Sequence, residues 1–232
     1  MIIGTGLIAN GFKSAYTHRE DVCIYAAGVS NSSCTDVREF DRERKRLNVA
    51  LHNSMHTDCF VYFSTCSVVD PEIQHTPYVL HKLAMEQLVT AHPRHLIFRL
   101  PQVAGKTPNP HTLLNFLYAH IARSESFNLW SKARRNIIDV DDMAAIAGQL
   151  IQDTTVRNLT MNIANPVSYS MIDVVESMAV AVGKPAIYNL IERGSEYTID
   201  TSTIRPLLDK AHVIFGDNYL ATVLGKYYDK AV

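Results

Sequence analysis

Short apolar runs alternate along this chain with longer stretches in which apolar positions recur every three or four residues. That alternation predicts strands separated by helices, and so a parallel sheet covered on both faces. Ile2-Ile3 is a very short strand that runs into Gly4-Thr5-Gly6-Leu7-Ile8-Ala9, and a helix-compatible stretch continues to about Tyr16. Residues 22–28 read as a buried strand ending in glycine, and residues from about 36 to 55 as a charged helix with Phe40, Leu47 and Leu51 as apolar marks. Residues 59–64, rich in Val and aromatics, form a third strand. Residues 78–89 read as an amphipathic helix with Leu80, Leu83, Ala84 and Leu88 as its buried stripe. A fourth strand over 95–100 is stopped by Pro101.

Beyond Pro101 the pattern loosens. Thr107-Pro108-Asn109-Pro110 reads as a loop, 112–122 as a helix, 137–140 as a strand, and 141–150 as a helix begun by acidic residues that suit its positive end. After a strand over 159–164, Ser170 can cap a helix with Asp173 three residues on, and Gly183 can close it. From Thr201 onward the chain reads as mostly helical.

Composition narrows the classes. The 232 residues suit one domain, or one domain with a small lobe, and 47% apolar against 19% charged residues is ordinary for a globular core. A formal net charge of −1 offers no basic field for nucleic acid or an anionic membrane surface. No apolar run approaches the ~20 residues that span a bilayer, so no membrane partner is expected. The four cysteines show no CxxC pair and no metal-ligand spacing with histidine. A reduced, cytoplasmic setting without a bound metal is the expectation.

Gly4-x-Gly6-x-x-Ala9 follows a strand and opens a helix, the setting a dinucleotide phosphate turn requires. The first glycine allows the tight turn, the second lets a pyrophosphate approach the backbone, and the small third residue packs helix on strand. The backbone N–H groups of Gly6, Leu7 and Ile8 then face the phosphates at a helix N-terminus. The same pattern also serves as a plain structural turn. Tyr78 and Lys82 stand four apart on a helix, so phenol and ammonium can share one cleft. A nearby lysine charge favours the phenolate and can bring a tyrosine into acid–base use; the alternative is a solvated Tyr/Lys pair on a helix surface. Ser64-Thr65-Cys66-Ser67 places hydroxyls at the end of the preceding strand, where one can polarise the same substrate oxygen.

Together, in order, these segments resemble the extended short-chain dehydrogenase/reductases of the nucleotide-sugar type, the NAD-dependent epimerases and dehydratases. The family's strand-end STSSVYG-like motif looks like Ser64-Thr65-Cys66-Ser67-Val68-Val69-Asp70, its YxxxK is Tyr78 and Lys82, and its AA strand end resembles Ala26-Ala27-Gly28. Its helix asparagine resembles Asn48, its RxxNVxG segment Arg99 to Gly105 with Gln102 in place of Asn, and its RDFxxVDDVA segment residues 135–144. The resemblance implies a Rossmann-like α/β fold with a parallel sheet and a small C-terminal substrate lobe. Residues 1–102 and 136–165 would form the cofactor-binding core, and 103–135 and 166–232 the substrate-binding lobe. It implies NAD or NADP as cofactor, held by Gly4, Gly6, Leu7, Ile8, Ala9, Ala26, Ala27, Gly28, Ser64, Tyr78, Lys82 and Leu100. Thr65, Tyr78 and Lys82 would be catalytic, and Thr65, Cys66, Ser67, Gln102, Asn115 and Arg135 would meet a nucleotide-sugar substrate, with surface-polysaccharide precursor synthesis as the setting. Arg99 as a strand-end salt bridge, Asn48 as a backbone brace, Gln102 as a loop cap, and Asp141 and Asp142 as a helix start are the structural alternatives.

One departure from the family is large. Only about a dozen residues separate Gly11 from the strand near Val22, where two further strand–helix units would need roughly 60. The sheet is therefore expected to be truncated at its strand-one edge. The carboxylate that grips the adenosine ribose about 20 residues past the glycines is missing, since Tyr25, Ala26, Ala27 and Gly28 stand there. A bare first strand calls for cover, by a homodimer partner or a folded-back segment. The alternative function is a non-catalytic relative that binds a sugar nucleotide or scaffolds a pathway.

Overall fold

The computed structural model describes residues 1–229; positions 230–232, the last of the expected lobe, lie outside the described residues. Five strands form the main sheet: β1 (Ile2–Ile3), β2 (Val22–Tyr25), β3 (Cys59–Thr65), β4 (His95–Leu100) and β8 (Leu159–Asn162). They run in the order β1-β2-β3-β4-β8, and every pairing is parallel. On one face lie α1 (Leu7–Tyr16) and α5 (Val140–Gln152), and on the other α2 (Val37–Asn53) and α3 (Pro77–Val89).

Period-two alternation divides the strands between these faces. Val22, Ile24, Val61, Phe63, Leu96 and Phe98 pack towards α1 and α5. Cys23, Tyr25, Phe60, Tyr62 and Ile97 pack towards α2 and α3. Burial on both sides is why these strands read as unbroken apolar runs.

A second core joins α4 (Leu113–Arg123), α6 (Met171–Val182) and α8 (Tyr219–Tyr228) over strands β6 (Phe127–Trp130) and β7 (Arg134–Asp139). β7 lies between β5 (Gln102–Ala104) and β9 (Ser168–Ser170), and β6 pairs with β10 (Tyr188–Ile191). The expected capping box of α6 is present, with Ser170 and Asp173 bonding each other's backbone N–H, and Gly183 ends the helix at φ +66°.

Two expectations change. The stripe foreseen on α3 is wrong: Leu80 is 52% exposed and Leu83, Ala84 and Leu88 are only half-buried, while Tyr78, Val79, His81, Lys82, Met85, Glu86 and Val89 face inward. The inner face of this helix carries polar groups that find partners inside, so apolarity misidentifies it. The C-terminal stretch is helical only in pieces: a 3-10 turn at Arg205–Leu207, the one-turn α7 (Leu208–Ala211), and α8.

Candidate active site

The carboxyl ends of the parallel strands open into one cleft of about 680 Å³, floored by the β1, β2 and β3 ends and closed on one side by 100–112 and Arg135. Gly4 turns the chain at φ +131°, and a Cβ there would lie 2.3 Å from the Ala26 carbonyl oxygen, so only glycine fits. Gly6 has the opposite environment: a Cβ would meet nothing within 4 Å, leaving its backbone open to the cleft. Gly6 is the N-cap of α1 and no side chain caps that helix. The first N–H groups of the helix are thus left for an anion.

At the β3 end the Ser64 hydroxyl is buried with no hydrogen-bond partner among the described residues. Such an orphan is costly unless a ligand or water completes it. Next to it the Thr65 hydroxyl accepts from the Ser67 N–H at 3.1 Å, capping the 3-10 turn Cys66–Val69. Thr65 also bonds Tyr78, which drops into the cleft from the first turn of α3. Burial pushes the Cys66 thiol up to about 12, and its Sγ donates to the Arg99 carbonyl at 3.2 Å, so this cysteine is inert.

Lys82 is buried one turn beyond Tyr78, its Nζ 4.5 Å over the Tyr62 ring. Its partner is a residue that the sequence pattern had not singled out. Glu43 on α2 is 1% exposed and takes Lys82 Nζ at 3.3 Å, the Tyr62 hydroxyl at 2.8 Å, the Val29 N–H at 2.7 Å and His81 Nε2 at 2.9 Å. Burial alone would raise this carboxyl, but the Lys82 charge and the bonds from His81, Val29 and Tyr62 outweigh it and hold it at about 2. Burial pulls the Lys82 pKa down from the ordinary lysine value, against the opposing pull of the carboxylate. The Tyr78 phenol is raised, first by burial and then by Glu43, with only the Thr65 bond lowering it. Burial is thus the larger influence on this phenol in the unliganded protein.

The cleft brings together Gly4, Gly6, Leu7, Ile8, Ala26, Ala27, Gly28, Ser64, Thr65, Cys66, Ser67, Tyr78, Lys82, Leu100, Gln102 and Arg135. Ala9 is not among them: it is fully buried and its smallness serves helix packing alone. Asn115 is likewise displaced. Its side chain is used up by the carbonyls of Thr107 and Asn109 and by the Tyr228 hydroxyl. Asn48 is exposed on α2 and braces nothing in the cleft. Arg99 is the structural alternative, held by Glu86 at 2.9 and 2.7 Å, and Asp141 and Asp142 lie in the first turn of α5. Arg135 reaches the cleft with its Nη1 3.9 Å from the buried Asp70.

Cations missed in the sequence also line the cleft: Arg46 from α2 and Lys106 from the loop after β5. With Lys82 and Arg135 they give a lining that holds Lys and Arg but no Asp or Glu, within a protein of net charge −1. That distribution suits a polyanionic ligand. The uncapped helix, open Gly6 and orphaned Ser64 fit the phosphate and nicotinamide ends of a dinucleotide; among the described residues lining the cleft the ribose-gripping carboxylate has no counterpart.

Comparison with known proteins agrees with this geometry. The family model described as NAD dependent epimerase/dehydratase family matches residues 16–164, more than half of the chain, beginning past the glycine turn. No curated protein matches. Among solved structures, the UDP-glucuronic acid 4-epimerase of Bacillus cereus in complex with NAD superposes with a TM-score of 0.73 at 18% identity, covering 98% of this chain and 86% of that one. The dTDP-glucose 4,6-dehydratase of Bacillus anthracis in complex with NAD gives 0.69 at 15%, covering 97% and 77%. The RMD protein of Pseudomonas aeruginosa complexed with NADPH gives 0.66 at 16%, covering 96% and 85%. At these identities the likeness is one of fold.

Proposed function

The chain belongs to the NAD-dependent epimerase/dehydratase family, and on that premise we propose that it is an oxidoreductase or epimerase acting on a nucleotide-activated sugar with NAD or NADP. The single observation that carries this reading is the meeting of Thr65, Tyr78 and Lys82 at the strand ends of a cleft lined by cations and no carboxylate. A bound dinucleotide would supply or accept hydride there. Tyr78 Oη would exchange a proton with the sugar oxygen, the Thr65 hydroxyl would hold that same oxygen, and Lys82 would sit beneath the pair. Gly4, Gly6, Leu7, Ile8 and the β2 end would hold the dinucleotide diphosphate, and Gln102 and Arg135 the sugar nucleotide. Residues 103–135 and 166–229 are assigned as the substrate lobe. The four cysteines are free thiols, in keeping with a cytoplasmic setting. Among the described residues no helix is long and apolar enough to cross a membrane.

Tyr78→Phe removes the transferable proton and keeps the ring, so turnover on a sugar-nucleotide panel should vanish with the circular-dichroism spectrum unchanged. Undiminished turnover refutes the assignment. A second reading, a binder of sugar nucleotides without redox chemistry, is favoured by the missing ribose carboxylate. Thermal shifts separate the two. A ligand at 100 times its Kd adds about 2.7 kcal/mol, so a shift with NAD(H) or NADP(H) supports the oxidoreductase. A shift with UDP- or dTDP-sugars alone supports the binder.

A further inference from the structure

A dinucleotide has two nucleoside ends, and a doubly wound sheet ordinarily floors one on each side of its first strand. Here the two sides of β1 differ. Inward lie β2, β3 and β4, whose carboxyl ends carry Ala26, Ser64, Thr65 and Leu100 into the cleft. Outward, no described strand pairs with it. The cause is local. α1 ends at Tyr16 and β2 starts at Val22, so residues 17–21 alone return the chain, too few for a further strand and its crossover helix. Exposure follows: Ile2 and Ile3 are only half-buried, every residue of β2 and β3 is buried, and Thr5 and Gly6 stand exposed at the turn.

The charges that could hold a second nucleoside lie elsewhere. Between the glycine turn and β2 the carboxylates are Glu20 and Asp21, past the far end of α1 and so roughly 15 Å along its axis from the turn. Neither lines the cleft, and Asp21 is taken by Arg19 at 2.7 Å. The cations in the same stretch, Lys13 and Arg19, do not line it either. Those that do are carried inward of β1. Arg46 rides on α2 against β2 and β3, Lys82 lies against the Tyr62 ring, and Arg135 reaches to Asp70. A carboxylate on the ribose hydroxyls, or a cation on a 2′-phosphate, makes charged hydrogen bonds worth roughly ten- to a hundred-fold in affinity. No described strand or helix outward of β1 carries such a group.

We infer that the site grips a nicotinamide dinucleotide by its nicotinamide nucleoside and its diphosphate, and leaves the second nucleoside in solvent. This rests on the cofactor reading above and narrows it. The ligand class is a nicotinamide dinucleotide with any base or 2′ group at its far end. The first N–H groups of α1 and the open backbone of Gly6 take the diphosphate, and Ser64, Tyr78 and Lys82 meet the near nucleoside. The far nucleoside has only the exposed edge of β1 beside it. NAD and NADP are then equivalent ligands, and their concentrations decide which one fills the site.

The test is titration calorimetry on the intact chain with no sugar present, so that binding is read without turnover. NADH, NADPH and reduced nicotinamide guanine dinucleotide share the near nucleoside and the diphosphate and differ only at the far end. Their Kd values should agree within about three-fold, short of what one charged contact to the ribose would give. As competitors of NADH, 5′-AMP should do no better than ribose 5-phosphate, since each brings one phosphate and the adenine gains nothing. Gly6→Ala should weaken all three dinucleotides together. The fold tolerates it, because Gly6 sits at φ −79° and its Cβ would meet nothing within 4 Å, while the methyl crowds the diphosphate. A spread of about ten-fold or more among the three, or a similar advantage of 5′-AMP over ribose 5-phosphate, overturns the inference. A second copy closing over the edge of β1 to hold the far nucleoside would register as such a spread. The cofactor reading survives that outcome, because a dinucleotide is bound either way. Gly6→Ala binding as tightly as wild type also overturns the inference, since the diphosphate then lies elsewhere. Failure of all three dinucleotides to bind removes the cofactor reading and this inference together.

Discussion

Glu43 and Lys82 show how a residue-level pattern can be half legible. The Tyr78–Lys82 spacing announced itself, because four residues on a helix put two side chains on one face. Glu43 did not, since it lies in the charged run Arg42-Glu43-Arg44-Lys45-Arg46 and reads as solvent-facing. The signal was its phase: Glu43 sits three residues after Phe40 and four before Leu47, on the stripe that packs against the sheet. Its burial makes a stability prediction. Glu43→Ala leaves an ammonium buried without a partner and should cost about 3–5 kcal/mol, while Glu43→Leu/Lys82→Met, which removes both charges, should recover most of that. Urea denaturation of the three proteins at neutral pH checks it; equal losses in single and double variants would contradict a paired origin. The acid dependence has a definite sign. The Glu43 carboxyl titrates at about 2 when folded and at an ordinary 4.5 when not, so its contribution is full above the ordinary value. It fades as pH falls from there through about 2, and the stability gap between wild type and Glu43→Gln should narrow over that window.

At the scale of elements, the α/β alternation was readable because every central strand is apolar on both faces, and turn residues separate strand from helix. The deletion was readable too, by counting: β1 leads through α1 straight to β2, and the two pair in parallel as sheet neighbours. Among the described residues β1 pairs only with β2, so no described strand folds back on its outer edge. A second copy of the chain remains the expected cover, and sedimentation should return a dimer; a monomer at all concentrations would defeat that expectation. What counting could not reveal is which cations line the cleft. Arg46 does so beside Tyr25, the residue whose backbone pairs with Ile3 just before the glycine turn, and so on the side of β1 away from the missing unit. Arg46→Ala should therefore weaken a bound dinucleotide diphosphate modestly, by roughly 1 kcal/mol for an exposed cation. An unchanged Kd for NAD(H) and NADP(H), measured by titration calorimetry, would remove Arg46 from cofactor binding.

For the whole molecule, the question is what keeps the sheet core and the second core in register around the cleft. α8 is built into the second core through Leu220, Val223, Leu224 and Tyr228, yet its polar groups grip the start of α5, whose apolar face belongs to the first. The Tyr219 hydroxyl donates to Asp142 at 2.6 Å and accepts from the Asp139 N–H at 2.9 Å, and Lys226 bonds the carboxylates of Asp139 and Asp141 at 2.8 and 2.7 Å. Sequence reading could assign the acidic residues to a helix start, but their partners are some 80 positions away, beyond any periodicity. Of these contacts Tyr219 is the more buried, and the energy concentrates there; Lys226 is 42% exposed at its side chain and solvent screens its pairs. Tyr219→Phe keeps the ring and strands the Asp139 N–H, so it should cost about 1–3 kcal/mol. The loss should be local. Amides of α8, α4 and α6 should exchange faster with solvent deuterium, while those of β2, β3 and β4 keep their protection, because the central strands do not depend on the latch. If instead the central strands lose protection to the same degree, the two cores unfold as one unit, and α8 is part of a single cooperative fold and not a clasp between halves.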